Sequence, residues 1–136
     1  MTCIIKYSKY FLVLTTLLHF CVLFPSLYIT KYSNLIIFYN IIIIIATIFS
    51  VLWHLDETNK IIMIIDYLLA FIWFSVDIYI AFLDSIILLQ VILLNFIILY
   101  LNILIKQDNM YYIYHSIWHI ISSIKCIYIY LLIFNK

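Results

Sequence analysis

Long apolar segments separated by short polar ones organise this chain. Five stretches are mostly apolar and long enough for membrane-spanning helices, which need about 20 residues. They cover about 10–30, 35–54, 61–82, 86–105 and 111–134. The runs at 41–45 and 86–89 do not alternate with polar positions, as the strands of a membrane β-barrel would. The pattern predicts an all-α fold: one polytopic membrane domain over 1–136, with about five transmembrane helices.

The composition narrows the class of protein further. Of the 136 residues, 69% are hydrophobic and 10% are charged, whereas soluble domains average about 45–50% and about 25%. A soluble fold of this size cannot bury so much apolar surface, which excludes a soluble enzyme, and a disordered chain is excluded by the same excess. The net charge of +1 provides no attraction to nucleic acid.

The first apolar segment and the lysines bear on topology. Lys6 and Lys9 precede an apolar run, as in a secretory signal peptide, but no small-residue cleavage site follows and the run is long for a signal. A retained first helix is therefore favoured over a cleaved signal. The excess of lysine predicts a cytoplasmic N-terminus, and an endomembrane is the favoured location. Four lysines then lie on the cytoplasmic side, namely Lys6, Lys9, Lys60 and Lys106. Two lie on the opposite side, namely Lys31 and Lys136.

Ionisable residues inside the apolar segments form a pattern. Such groups are costly in lipid and usually face the interior of a helix bundle. Ser50 and His54 stand four residues apart at the end of the second segment, and His115 and His119 do so at the start of the fifth. Residues four apart share one helix face. Helical periodicity also aligns two longer stripes, which are Asp66, Ala70, Trp73, Asp77 and Asp84 on the third segment and His115, His119, Ser122 and Cys126 on the fifth.

The topology predicts that these groups meet. The second segment ends, and the third and fifth begin, on one side of the membrane, so His54, Asp66, His115 and His119 share one depth. Three neutral imidazoles with one open position are the ligand set of a catalytic zinc ion, which lowers the pKa of a water ligand. Asp66 is then the candidate base, and Ser50 can bond an oxyanion or a ligand.

The three motifs, taken in order, resemble the CREST superfamily. This group includes alkaline ceramidases, adiponectin and progestin receptors, lipid-remodelling hydrolases and myomaker-like proteins. The matching text is Phe49-Ser50-Val51-Leu52-Trp53-His54, Asp66-Tyr67-Leu68-Leu69-Ala70 and His115-Ser116-Ile117-Trp118-His119-Ile120. The resemblance covers roughly 45–125. It implies that His54, His115 and His119 bind zinc, with Ser50 and Asp66 beside the ion. The family has seven transmembrane helices, whereas this chain is predicted to have about five. The missing pair would fall between the third and last segments, and without it the lipid cavity of the family would lose part of its wall.

Three functions follow as hypotheses. The first is a zinc-dependent membrane hydrolase that cleaves an amide or ester bond of a lipid. The second is a non-catalytic protein of the same superfamily that keeps zinc for structure or for lipid sensing. The third is a small accessory subunit of an organellar membrane complex, where short, lysine-rich chains without arginine are common.

Each polar residue also has a plainer interpretation. The three histidines can be interfacial residues beside Trp53 and Trp118 in an aromatic belt. Haem ligation by two histidines is a further alternative, although His115 and His119 share a helix and haem would leave Ser50 and Asp66 without a role.

The remaining polar residues are expected to be structural. His19 stands alone on the first segment and is expected to be a satisfied bundle histidine. Asp77 is either a proton-path group beside the metal or a polar contact to Asn95 or Asn102, and Asp84 is expected in a loop. Lys125 snorkels or faces the bundle. The isolated cysteines, Cys3, Cys21 and Cys126, are expected to be free thiols.

Overall fold

The computed structural model describes residues 2–26, 34–82, 85–105 and 111–131. Helices account for 95% of these described residues and none of them lies in a strand. The expected all-α fold class is therefore confirmed. Four residues named above lie outside the described residues, namely Lys31, Asp84, Lys106 and Lys136. The same is true of residue 30, where the first predicted segment ends, and of residue 134, where the fifth one ends.

The helices follow the apolar segments closely, except at the first one. That segment comprises α1 (Thr2–Leu17), a 3₁₀-helix (Leu18–Val22) and α2 (Leu23–Ser26). It begins at Thr2 and not near residue 10, because hydropathy locates the apolar part of a helix and not the polar turns that extend it. The other segments correspond to α3 (Asn34–Leu55), α4 (Lys60–Ala81), α5 (Ser85–Ile105) and α6 (Tyr111–Ile129).

A tight connection joins α3 to α4. The Asp56 carboxylate accepts hydrogen bonds from the Thr58 hydroxyl at 2.6 Å and from the Thr58 backbone N–H at 3.2 Å, and these bonds lower the pKa of Asp56. Asn59 caps α4: its side-chain oxygen accepts from the N–H groups of Ile61 and Ile62 at 3.1 and 3.3 Å. The connection places the end of α3 beside the start of α4.

Helix α6 holds a central place in the bundle. It packs against α1, the 3₁₀-helix and α5, while α3 packs against α4. Large buried side chains of the core come from several helices, including Tyr39, Ile43, Ile80, Val91 and Ile129. Helices α4 and α6 touch at few points, and a cavity occupies the space between them.

The outside of the bundle is strongly apolar. Helices α3 and α4 are long and apolar enough to cross a membrane, with mean hydropathies of 2.7 and 2.1, and Lys9–Pro25 and Ser85–Leu101 are shorter apolar helices. Large hydrophobic side chains cover the exposed faces, for example Phe71, Phe82 and Ile86. Exposed apolar surface of this extent marks contact with a membrane or with partners.

Candidate metal centre

Three buried histidines from two helices meet at one end of the bundle. His54 lies in the last turn of α3, and its side chain is fully buried. His115 and His119 lie one turn apart near the start of α6 and are also buried. The i, i+4 spacing directs both α6 imidazoles towards the end of α3. The expected meeting of the three residues is observed, and they lie close enough to bind a metal ion.

The distances among the three rings suit a common ligand. Nε2 of His54 lies 3.1 Å from Nε2 of His119, and one ring nitrogen from each histidine lies within 4.8 Å of the others. Tetrahedral zinc with bonds near 2.05 Å requires nitrogens about 3.3 Å apart. The His54–His119 pair is near that value, whereas the 4.8 Å limit for the whole cluster exceeds it.

Ring nitrogens without hydrogen-bond partners also support metal binding by the cluster. In the described part of the chain, neither ring nitrogen of His115 has a hydrogen-bond partner, nor does Nδ1 of His54. A buried polar nitrogen without a partner is destabilising. A cation takes one lone pair from each neutral imidazole, so it would pair one of the two His115 nitrogens and would leave Nδ1 of His54, on the far side of its ring from Nε2, without a partner. The three imidazoles together still form a donor set that fits a metal ion.

Ser50 and Asp66 stand beside the histidines. The Ser50 hydroxyl lies 3.4 Å from Nε2 of His54, one turn away on α3, and it also interacts with the Asp66 carboxylate on α4. Both residues are buried. The two residues expected to do chemistry therefore lie near the cluster, on the side facing α4.

A cavity of about 320 Å³ adjoins this group. Ser50, Asp66 and His119 form part of its wall. Phe71 of α4 and Leu99 of α5 also line it, and they are 66% and 49% exposed. The cavity therefore reaches the outer surface between α4 and α5, and it connects that apolar surface with the polar group.

His19 is buried in the bundle beside the candidate centre. Its ring lies 5.2 Å from that of His119 and 5.0 Å from that of Trp73, both edge-on. By hydrogen-bond geometry neither of its ring nitrogens has a partner among the residues described, and the ring interacts with the backbone of His119. The 3₁₀-helix that carries His19 changes the direction of side chains relative to a continuous α-helix, and hydropathy does not reveal that change.

A second polar group lies deeper in the bundle. Asp77 forms an ion pair with Lys125 at 2.5 Å, and Tyr39 donates to its other oxygen at 2.5 Å. Lys125 also donates to the side-chain oxygen of Asn95 at 2.9 Å. Of the two alternatives for Lys125, the structure shows that it faces the bundle. Asp77 reaches Asn95 through Lys125, so the Asp77–Lys125 pair is part of the packing of α3, α4, α5 and α6.

Sequence reasoning missed Tyr39 and the role of Trp73, whose indole N–H donates to the Tyr39 hydroxyl at 3.4 Å. A tyrosine within an apolar helix is too common a feature to single out. Cys21 and Cys126 are free thiols, in agreement with the expectation.

Comparison with known proteins adds no assignment to this geometry. No protein-family model matches the chain, and neither the curated proteins nor the solved structures include a significant match to it.

Proposed function

We propose that this protein is a membrane-embedded, zinc-dependent hydrolase that cleaves an amide or ester bond of a lipid. One observation carries the proposal: a single cavity runs from the apolar outer surface at Phe71 and Leu99 to Ser50, Asp66 and His119. A lipid that occupies this cavity brings its polar linkage to the histidine cluster while its chain stays among apolar side chains. Pockets that bind small ligands have the same character, with apolar walls and a few convergent polar groups.

The proposal includes five membrane spans. The apolar exterior of the helices supports it, as does the hydrogen bond from the Lys9 ammonium to the Leu55 carbonyl at 3.0 Å. This bond places Lys9 beside the connection between α3 and α4, in agreement with lysines Lys9 and Lys60 on one membrane side. The histidine cluster then lies just inside that surface.

Each site residue has a role in the proposed reaction. His54, His115 and His119 hold the ion, which when bound acidifies a water molecule and polarises a carbonyl group. Asp66 accepts the proton of the attacking water and returns it to the leaving group. Ser50 hydrogen-bonds Asp66 or the carbonyl oxygen as negative charge develops there.

The resemblance to the CREST superfamily is also part of the proposal. The order of the motifs supports it, together with the meeting of His54, His115 and His119. A chain with five spans would lack one helix pair of that family, and an even difference keeps α3 and α6 in the orientation that the cluster requires.

A non-catalytic, lipid-sensing protein is the second candidate. The volume of the cavity favours it, because about 320 Å³ lies at the lower end of the range for pockets that enclose a whole ligand, about 300–1,000 Å³. A protein that binds only part of one lipid molecule needs no larger cavity.

Two measurements on purified protein separate the candidates. Elemental analysis of the wild type and His115→Ala tests for the metal, and release of fatty acid from ceramides and glycerophospholipids in liposomes tests for turnover. We expect about one zinc per wild-type chain, strong loss in the variant, and fatty acid release from at least one lipid class. Zinc without turnover of any of these lipids would exclude the hydrolase and favour the sensor. Absence of zinc would exclude both and favour an accessory subunit.

A further inference from the structure

The cavity has a second polar end, formed by Asn95 of α5 and Lys125 of α6. Both side chains line the cavity, and each is 3% exposed. Ile98, Leu99 and Phe74 line it as well, so these two polar groups interrupt an otherwise apolar stretch of wall.

The hydrogen bonds of this pair leave one donor group unused. Lys125 donates to Oδ1 of Asn95, which fixes the orientation of the amide. The amide nitrogen, Nδ2, carries two N–H donors, and it has no partner among the described residues although it is buried. An unpaired buried donor is destabilising, and a ligand oxygen in the cavity would satisfy it.

The charge balance indicates which oxygen. The ammonium group of Lys125 is already neutralised by Asp77 at 2.5 Å. A carboxylate or phosphate would therefore leave this buried group with excess negative charge, which is strongly unfavourable. A neutral acceptor, such as a hydroxyl, keto or epoxide oxygen, adds a hydrogen bond without adding charge.

The position of the pair indicates which part of the ligand carries that oxygen. Lys125 follows His119 by six positions on α6, which corresponds to about 9 Å along the helix axis. A lipid whose ester or amide group lies at His119 therefore presents its acyl chain, and not its headgroup, to Asn95.

We propose that Asn95 forms a subsite that selects lipids whose acyl chain carries a neutral oxygen at mid-chain. This inference rests on the proposed function for the identity of the ligand as a lipid bound with its linkage at the histidines. An unsubstituted chain fills the same space but leaves the Asn95 amide unpaired, so discrimination comes from the cost of that unpaired donor.

Equilibrium binding tests the subsite without any turnover. The probes are monoacylglycerols with an octadecanoyl chain that is plain or has one hydroxyl near the carbonyl, at mid-chain or near the methyl end. They compete with a fluorescent acyl lipid for full-length, chelator-treated protein in detergent micelles. One buried hydrogen bond should give the mid-chain isomer an affinity about threefold to tenfold above the plain chain.

Two variants locate the effect. Asn95→Leu should bind the plain chain and lose the preference for the mid-chain isomer. Ser122→Ala changes another polar residue of the same wall and should keep the preference. Since Asn95→Leu also removes an acceptor from Lys125, its thermal unfolding is compared with that of wild type, and the positional series in wild type decides the question if the variant does not fold.

Several outcomes would overturn the inference. They are equal affinity of wild type for all four chains, a preference that survives in Asn95→Leu, and no binding of any chain. The proposed hydrolase fails separately: a mid-chain preference in a protein that cleaves no lipid would remove the enzyme and keep the subsite. Cleavage of lipids without any positional preference in binding would remove the Asn95 subsite and keep the hydrolase.

Discussion

Nε2 of His54 and Nε2 of His119 lie 3.1 Å apart, although 65 positions of sequence separate the two residues. One belongs to the end of α3 and the other to the start of α6, with α4 and α5 between them. Two intervening helices return the chain to the side from which it started. The closeness of the two rings is therefore tied to the number of helices and to their direction.

The first prediction concerns topology. With five spans, reporter tags at the two termini should lie on opposite sides of the membrane. The check is protease or label accessibility of each tag in sealed vesicles, before and after permeabilisation. Tags on the same side would contradict an odd number of spans.

The second prediction concerns the metal. Alanine at His54, His115 or His119 should strongly reduce zinc content, because two remaining ligands cannot complete a tetrahedral site. His19→Ala is the matched control: its ring packs on His119, but it is not a member of the cluster within 4.8 Å, so zinc should be retained. Equal zinc loss in His19→Ala and His54→Ala would refute the ligand assignment.

The third prediction separates chemistry from structure. Asp66→Asn should keep zinc and the fold but slow lipid hydrolysis by about 10²–10⁴-fold, the usual contribution of a general base. The measurement is initial fatty acid release together with zinc content. A variant of full activity would show that Asp66 is not the base.

The fourth prediction concerns Ser50. Ser50→Ala removes a hydroxyl that lies 3.4 Å from the His54 ring and should retain zinc. If Ser50 supplies one oxyanion donor, hydrolysis should slow by at most about 10²–10³-fold, the cost of one such donor in a well-studied protease. A larger loss than in Asp66→Asn would contradict the assignment of Asp66 as the base and of Ser50 as one donor among several.

The fifth prediction concerns the buried ion pair. Asp77→Asn leaves the Lys125 charge buried without a counter-ion and should lower the free energy of unfolding by about 3–5 kcal/mol. The double variant Asp77→Asn with Lys125→Met should recover much of that loss, because no charge remains. Unfolding in detergent, followed by circular dichroism, measures both. Equal stability of wild type and Asp77→Asn would mean that the pair contributes nothing.

The sequence was sufficient for the helices and for the meeting of the three histidines. Long apolar runs require helices, and the positions of His54, His115 and His119 near helix ends give their depth once the direction of each helix is known. Depth does not determine which neighbour a side chain faces. For that reason the pairing of Asp77 with Lys125 could not be predicted, although both residues were recognised as unusual in an apolar segment.

His19 illustrates the same limit more sharply. Its neighbours depend on the local change from α-helix to 3₁₀-helix over Leu18–Val22. Pro25 lies four residues after Cys21, and a proline disrupts the hydrogen bond to the carbonyl four residues before it. That signal marks a local change of the helix, but it does not tell which residues the imidazole of His19 contacts.

The lateral opening between α4 and α5, at Phe71 and Leu99, has a kinetic consequence. If the protein is the proposed membrane hydrolase, a lipid of the surrounding leaflet would enter this opening by two-dimensional diffusion, without first leaving for the aqueous phase. Its rate of capture then depends on the mole fraction of that lipid in the membrane and not on its amount per volume of buffer. Diluting the substrate with inert lipid at constant total substrate should therefore slow the protein, whereas diluting the vesicles should not.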